Sequence, residues 1–516
     1  MKLLAVVLSV VALALGEHAH GPGMKFRVTQ HALDEINRAI GEVFSDHDSA
    51  EKILQLRFRQ FEFGKILKSA MGIEEGEDDP VIENVELVSM EAGTGSINFE
   101  APNIVKMTYS GGSVTAKATV NAHDKGSAEL TVTMTGLAGS SGWGMGYDEE
   151  VGTPTFGLHS CSAEVDSISV VAAGFGDQEA AINDQLKTFF DGVAEEFGEN
   201  VCQKGRQFAL KKTIEAREKG CQPVLPAPLD DIAFRMCFTG PPTATTEYMD
   251  VEMCGNTIYA DEVDAQTFAD VDLGFEPAPL QMDGDSTDKM FYMWYSQAGS
   301  NRFFEVLYNA GKFAYTFPAN VNMSKPVYLI AEQHSVTIDE SKPIMTTFAA
   351  VDKAPHMVFC PHHPDHVLVN VTLSVEHKFQ DVAGAEHTVA VTVDMKGKLS
   401  WTNHEIGENK SLPRAVGTAV IDEVDWVSTG TLEITAEQLV KYKNKFKRKM
   451  TGMINRFLEG WSHAEAENES TWLPKPLRIF KFNEMNAKAL EQTLAIASAG
   501  QVDNARLLQF ILTQDD

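Results

Sequence analysis

The most metal-like stretch of the chain is Cys360-Pro-His362-His363-Pro-Asp365-His366, which gathers thiol, imidazole and carboxylate groups within seven residues. Those ligand types suit zinc or copper. Its prolines suit a plain loop equally well, and no second ligand pair stands at structural-zinc spacing, so no metal is assigned. No P-loop, HExxH, GxSxG, paired CxxC or dinucleotide glycine fingerprint occurs. The GxGxG run inside Gly139–Gly146 does not lead into a helix and reads as a mobile loop. No catalytic residue is therefore assigned, and a binding module without a cofactor is expected rather than an enzyme.

Three other residue sets could do chemistry. The six cysteines are an even number, as expected of disulfides in an oxidising compartment. Acceptor sequons stand at Asn322, Asn370, Asn409 and Asn468, all in the C-terminal half. Asn370 falls in a predicted strand and must face outward to be modified. The run Lys441-Tyr-Lys-Asn-Lys-Phe-Lys-Arg-Lys449 carries six cations. At helical spacing Lys441, Lys445, Arg448 and Lys449 share a face, which suits either anionic headgroups or a solvated surface on an acidic chain.

The elements that must position these groups follow from length and pattern. With 516 residues the chain exceeds one core, so two domains are expected. Its 73 acidic and 43 basic residues leave a net charge of −30, which excludes affinity for phosphate backbones and hence nucleic acid. Lys2, the apolar run Leu3–Leu15 and the small residues Ala14 and Gly16 have the build of a secretory signal peptide. The run is shorter than the ~20 apolar residues that span a bilayer, so residues 1–16 are expected to be removed and the protein secreted.

Leu33, Ile36, Ile40 and Val43 recur at helical steps, which predicts a helix over Val28–Phe44 with Thr29 as its cap. An acidic run from Glu74 to Asp79 reads as an exposed loop. From Val81 to Val171 the period is two: Val114, Ala116, Ala118, Val120 and Ala122 share one face, as do Ala128, Leu130, Val132 and Met134. A helix follows over Gln178–Lys219, with Ile182, Leu186, Phe189, Phe190, Val193 and Phe197 as its stripe. Prolines mark a linker at Gln222–Leu229. The plan then repeats: a helix over Ser300–Lys312, strands with Val367, Val371 and Val375 or Val389, Val391 and Val393 inward, and a helix over Thr435–Trp461 opened by a Thr435/Gln438 capping box.

The segment Gly240-Pro-Pro-Thr-Ala-Thr-Thr-Glu-Tyr-Met-Asp-Val-Glu-Met-Cys254, with Ile258-Tyr259-Ala260, resembles the centre of the bactericidal/permeability-increasing protein family. That family includes lipopolysaccharide-binding protein and the phospholipid and cholesteryl ester transfer proteins. Met24–Asp34, Cys161–Ile168, Asn200-Val-Cys202, Lys289–Ser296 and Phe303–Lys312 resemble further family segments in order. The resemblance spans nearly the whole chain after the signal. It implies an α+β fold of two tandem barrels, each a curved antiparallel sheet wrapped around a long helix. A central sheet joins them in an elongated boomerang. The implied layout is an N-terminal barrel over 17–222, a proline-containing linker and central sheet over 223–260, and a C-terminal barrel over 261–516.

The resemblance also implies a secreted protein that binds or transfers lipid, holding phospholipid acyl chains or other acyl lipids in apolar pockets. Lipid particles or membranes would be transient partners, and bound lipid the ligand. Leu33, Ile36, Ile40, Val43, Val120, Leu130 and Val132 are the pocket candidates. The Cys161–Cys202 pair matches the family's disulfide, whose loop closure is worth roughly 4 kcal/mol. Cys221, Cys237, Cys254 and Cys360 are extra and allow three pairings. The alternative is an innate-immune binder of microbial lipids such as lipopolysaccharide. Residues 17–222 disfavour it, because they carry 18 basic against 33 acidic side chains. The tail Asn504–Leu512 reads as a short amphipathic segment, expected either to gate a pocket or to pack on the outer sheet.

Overall fold

The computed structural model describes residues 23–60, 68, 80–122, 126–225, 229–263, 280, 282, 286–319, 321–404, 414–440, 447–448, 451–452, 455 and 479–513. The expected signal peptide and the Glu74–Asp79 run lie outside them.

The chain opens with strand β1 (Met24–Thr29) and helices α1 (Gln30–Ser45) and α2 (His47–Gln60). Val28 is thus a strand residue, not the first of a helix. Tertiary pairing overrides its local periodicity, since it lies between Met249 and Phe291 of two distant strands. Thr29 precedes α1, but its side chain does not cap it. Its hydroxyl donates instead to the Lys289 carbonyl at 2.6 Å.

An antiparallel sheet follows, built from β2 (Val81–Glu91), β3 (Thr94–Glu100), β4 (Ile104–Ala122), β5 (Gly126–Asp148), β6 (Thr153–Glu164) and β7 (Ser167–Ala173). Its order is β2-β4-β5-β6, with β3 also beside β4 and β7 also beside β5. Alternation explains the strands: Ala116, Ala118, Val120, Ala128, Leu130 and Val132 are buried on one face. Gly139–Gly146 is no loop but the second half of β5. A Cβ at Gly144 would strike the His159 imidazole, and one at Gly142 the Ser160 hydroxyl. The glycines let β6 side chains lie across the strand. Helix α3 (Glu179–Lys219) packs on β6 and β7.

The waist contains β8 (Ile232–Arg235), β9 (Thr243–Ala244), β10 (Tyr248–Met253) and β11 (Asn256–Tyr259). After it come β12 (Phe291–Ser296), α4 (Gln297–Asn309, three residues earlier than expected at each end), β13 (Ala314–Pro318) and α5 (Val321–Gln333). A second antiparallel sheet adds β14 (Met345–Ala350), β15 (His356–Val358), β16 (His366–Gln380), β17 (Glu386–His404) and β18 (Arg414–Ser428), in the order β13-β14-β16-β17-β18, with β15 also beside β16. Residues 436–440 open a helix behind the Thr435/Gln438 capping box. The Thr435 amide donates to Gln438 Oε1 at 2.8 Å, and the Gln438 amide donates to Thr435 Oγ1 at 3.4 Å. The chain ends with β19 (Phe480–Leu490), β20 (Thr493–Val502) and α6 (Asn504–Thr513).

A third sheet, β19-β20-β12-β1-β10-β9, draws on strands from both ends and the middle of the chain. Segment 223–260 supplies β9 and β10 of it. On one face Phe26, Val28, Met249, Val251 and Phe291 join the core with α1. On the other, Arg27 is fully buried and grips Asp250 with two hydrogen bonds, of 2.6 and 2.8 Å, beneath the Tyr248 ring. Lys25 Nζ also reaches Asp250, at 3.0 Å, so one buried carboxylate gathers two cations of β1 and holds β1 and β10 in register.

Candidate functional site

Helix α3 carries one apolar stripe along its 41 residues, and its burial changes along the way. Ile182, Leu186 and Phe190 at the start are buried with Val120, Leu130, Val132, Ile168 and Val170. Cys202, Gly205 and Ala209 toward the end are buried again, the last beside Trp143. Between them Val193, Ala194, Phe197 and Val201 are only half-buried. The sheet matches this. On the helix-facing rows Ala116, Ala118, Leu130 and Val132 are covered, while Val114, Met134 and Leu137 are half-buried. Apolar side chains in a filled core are close-packed. Val193 and Ala194 pack against the first cluster, so the half-buried stretch between the two clusters is an apolar seam that the sheet covers only in part.

The seam has rigid walls. Cys161 of β6 and Cys202 of α3 are joined in a disulfide, with Cα atoms 5.7 Å apart. Gly198 lets the helix sit directly on β6, since a Cβ there would strike the Ala163 carbonyl oxygen. Side chains from the helices close both open edges of the sheet. Gln30 of α1 donates to the Ile97 carbonyl at 2.7 Å and accepts from the Phe99 amide at 3.3 Å, both on β3. On α2, Gln55 donates to the Val85 carbonyl of β2 at 3.0 Å. On α3, Asn183 accepts from the Ala172 amide at 2.7 Å and donates to its carbonyl at 2.8 Å, covering β7. Thr213 accepts from the Phe156 amide of β6 at 2.9 Å. Each contact satisfies backbone groups that an open edge would offer to other chains.

The seven pocket candidates fall into two separate groups. Leu33, Ile36 and Val43, with Ile40 partly buried beside them, join the core shared by α1, the third sheet and α6. Val120, Leu130 and Val132 belong to the closed end under the start of α3. Of the half-buried stretch, Val193 and Ala194 pack against the second group. The stretch's residues Val193 and Phe197 are legible in the stripe, but their incomplete cover is not. Helix α6 docks against α1: Leu507, Phe510 and Ile511 are buried in that core, and Asn504 Nδ2 donates to Glu42 Oε2 at 2.8 Å. The tail therefore neither frays nor lies on an outer sheet face.

Cys221 pairs with Cys237, with Cα atoms 4.8 Å apart, and Cys254 and Cys360 stand outside both bridges. In the Cys360–His366 loop, His366 is buried and its Nδ1 lies 2.9 Å from Asp365 Oδ1. Among the described residues no group of three His, Cys, Asp or Glu is placed to hold a metal ion. Asn370 lies on β16 between β15 and β17, half-buried. Asn322 is in α5, with its side chain outside the described residues, as are Asn409 and Asn468 entirely. Of the cationic run, Arg448 is exposed and Lys447 Nζ donates to the Asp422 carbonyl at 2.7 Å; Lys441, Lys445 and Lys449 lie outside the described residues. No described helix is long and apolar enough to cross a membrane.

No family profile matches the chain, and no curated protein matches it. Among solved structures it is similar to lipopolysaccharide binding protein, at 13% identity and a TM-score of 0.40, over 93% of this chain and 99% of that one. It is also similar to P47 from Clostridium botulinum A2, at 9% identity and a TM-score of 0.23, over 94% and 98% of the two chains. P47 of Clostridium botulinum E1 follows at 8% identity and a TM-score of 0.23, over 93% and 99%. Likenesses this distant decide neither fold nor ligand, so the chain's α+β architecture rests on the strand orders and helix contacts given above.

Proposed function

We propose that this chain is a secreted lipid-binding protein that holds acyl chains, those of phospholipid first, in the seam between α3 and the N-terminal sheet. One observation carries the reading: the α3 stripe is buried at Ile182, Leu186 and Phe190, half-buried at Val193, Ala194, Phe197 and Val201, and buried again at Cys202, Gly205 and Ala209, with Phe189 exposed. An acyl chain laid there recovers about 0.8 kcal/mol for each methylene removed from water. Such a site discriminates weakly among chain lengths, which suits a carrier. In this reading the second sheet and the helix that starts after Thr435 form a second barrel, and the third sheet joins the two. The protein takes lipid from particles or membranes by transient contact, with lipid as ligand and no cofactor or catalytic step. Its net charge of −30 disfavours nucleic acid as a partner. The Cys161–Cys202 and Cys221–Cys237 bridges suit an oxidising, extracellular compartment.

The test is native mass spectrometry of the secreted protein with organic extraction, paired with uptake of a fluorescent phospholipid. Bound lipid and saturable uptake are expected. Ala194→Trp, which fills the seam, should abolish uptake without lowering the melting temperature. Secreted protein with no extractable lipid and no uptake would overturn the proposal.

A further inference from the structure

Three of the six cysteines meet at the waist, and their register makes more than one pairing accessible. Phe238 and Met253 form an antiparallel bridge. Around it the Thr239 amide donates to the Glu252 carbonyl at 3.1 Å, and the Cys254 amide donates to the Cys237 carbonyl at 2.9 Å. This pattern sets Cys237 directly opposite Cys254. Directly opposed residues of an antiparallel pair point to the same face, with Cα atoms about 5.5 Å apart at a hydrogen-bonded position. That separation lies inside the range of about 4.4–6.8 Å that a disulfide spans. On the other side of Cys237, the Met236 amide donates to the Cys221 carbonyl at 2.9 Å. Cys237 therefore stands between two cysteines, bonded to Cys221 and opposed by Cys254.

We infer that this trio is a thiol–disulfide exchange site, in which Cys254 displaces Cys221 from Cys237. The Cys254 thiolate attacks Cys237 Sγ, and an S–S bond forms between them. The Cys221–Cys237 bond breaks, and Cys221 leaves as thiolate and takes up the proton that Cys254 gave up. One disulfide and one thiol are present before and after, so no oxidant or reductant is consumed. Cys237 is fully buried, so a thiol from solution has no approach to it, whereas an attack from the facing strand needs none. The exchange has a structural consequence. Cys221 follows Gly220, the residue that ends α3 in a left-handed conformation with φ +66°. With Cys221–Cys237 formed, α3 is tied covalently at Cys202 and just past its C-terminus. With Cys237–Cys254 formed, the end of α3 is released and the tie passes to the strand pair beneath it.

The experiment uses the full secreted chain held under native conditions with iodoacetamide, then quenched in acid and mapped as non-reduced peptides. Carboxamidomethyl-Cys221 together with a Cys237–Cys254 peptide is expected to accumulate with time. Cys254→Ser should abolish the labelling of Cys221 and leave Cys221–Cys237 as the sole waist bridge. Cys221→Ser, refolded with oxidised glutathione as electron acceptor, should form Cys237–Cys254. Finding Cys221–Cys237 alone in the native chain at every time point, with Cys254 as the only waist thiol labelled, would overturn the inference. So would a folded Cys221→Ser protein whose Cys237 and Cys254 are both alkylated after denaturation.

Discussion

In the N-terminal sheet the covering helix runs 41 residues and is bonded to β6 through Cys161–Cys202; in the C-terminal sheet α5 spans thirteen residues, contains Pro326 and has no disulfide. The edges are treated alike. Asn183 of α3 clamps the Ala172 amide and carbonyl, and Asn455 clamps those of Ala419 on β18, at 2.7 and 3.1 Å. Asn301 of α4 does the same for Met357 of β15, at 2.7 and 3.1 Å. The cores differ. Under α5, Val327, Ile330 and Ala331 are buried with Val375, Phe379, Val389, Val391 and Val393 as one cluster. Under α3 two clusters flank a half-buried stretch. A helix located covalently can leave part of its inner face uncovered and keep its place. A helix held by packing alone loses its position with its cover.

The largest effect expected from breaking that covalent hold is at Cys161. Cys161→Ala opens a loop with a sequence separation of 41 and should lower stability by about 4 kcal/mol, while Cys237→Ala, which opens the Cys221–Cys237 loop with a separation of 16, should cost about 3 kcal/mol. Urea unfolding of Cys161→Ala and of Cys237→Ala, which removes the cysteine common to both waist pairings, measures the difference; equal midpoints would show that loop length does not govern it.

Acid should act on the C-terminal sheet. Burial pushes the His377 imidazole down to about 4, and its Nδ1 lies 2.8 Å from the hydroxyl of fully buried Thr346. The ordinary histidine value is about 6.5, so between the two values the unfolded chain binds the extra proton. Stability is then complete above pH ~6.5, falls as the pH drops toward ~4 and is flat below that, a loss of up to about 3 kcal/mol. His377→Gln should flatten this part of the stability–pH curve; an unaltered curve would assign the acid sensitivity elsewhere.

Packing substitutions sharpen the contrast along α3 itself. Leu186→Ala, at the closed end, should cost about 3 kcal/mol. Val193→Ala, in the half-buried stretch, should cost under about 1 kcal/mol, because fewer neighbours lose contact. Thermal melts that rank them equally would mean the seam is as filled as the end. The smallest effect is at the edges. Asn183→Ala leaves two Ala172 backbone groups without a protein partner, at about 1–2 kcal/mol, and hydrogen exchange should rise at β7 before any other strand. Unchanged exchange at Ala172 would remove the edge clamp from the account.

Much of the fold was legible where structure depends on near neighbours. The period-two faces through Val120 and Leu130, the α3 stripe except for exposed Phe189, and the Thr435/Gln438 box appear where their spacing predicts. The seam was less legible. Its residues are those of an ordinary apolar stripe, and whether Val193 or Phe197 is covered depends on how closely α3 approaches strands that end before it begins. Gly198 carried a signal in hindsight: a glycine on the sheet-facing side of a long helix marks a close approach.

By itself, then, the sequence determined what a residue's neighbours within a few turns can settle: strand and helix periods, the capping box and the acidic balance. The tertiary structure alone decided what depends on contacts across hundreds of residues. Val28 became a strand residue because Met249 and Phe291 flank it, Gly139–Gly146 became strand because β6 lies against it, and the last helix came to rest on the first. It also chose Cys237 for Cys221 and divided the seven apolar candidates between two cores. The reason is that periodicity records which face of an element is apolar, whereas the neighbour that covers that face is set by the packing of the whole chain.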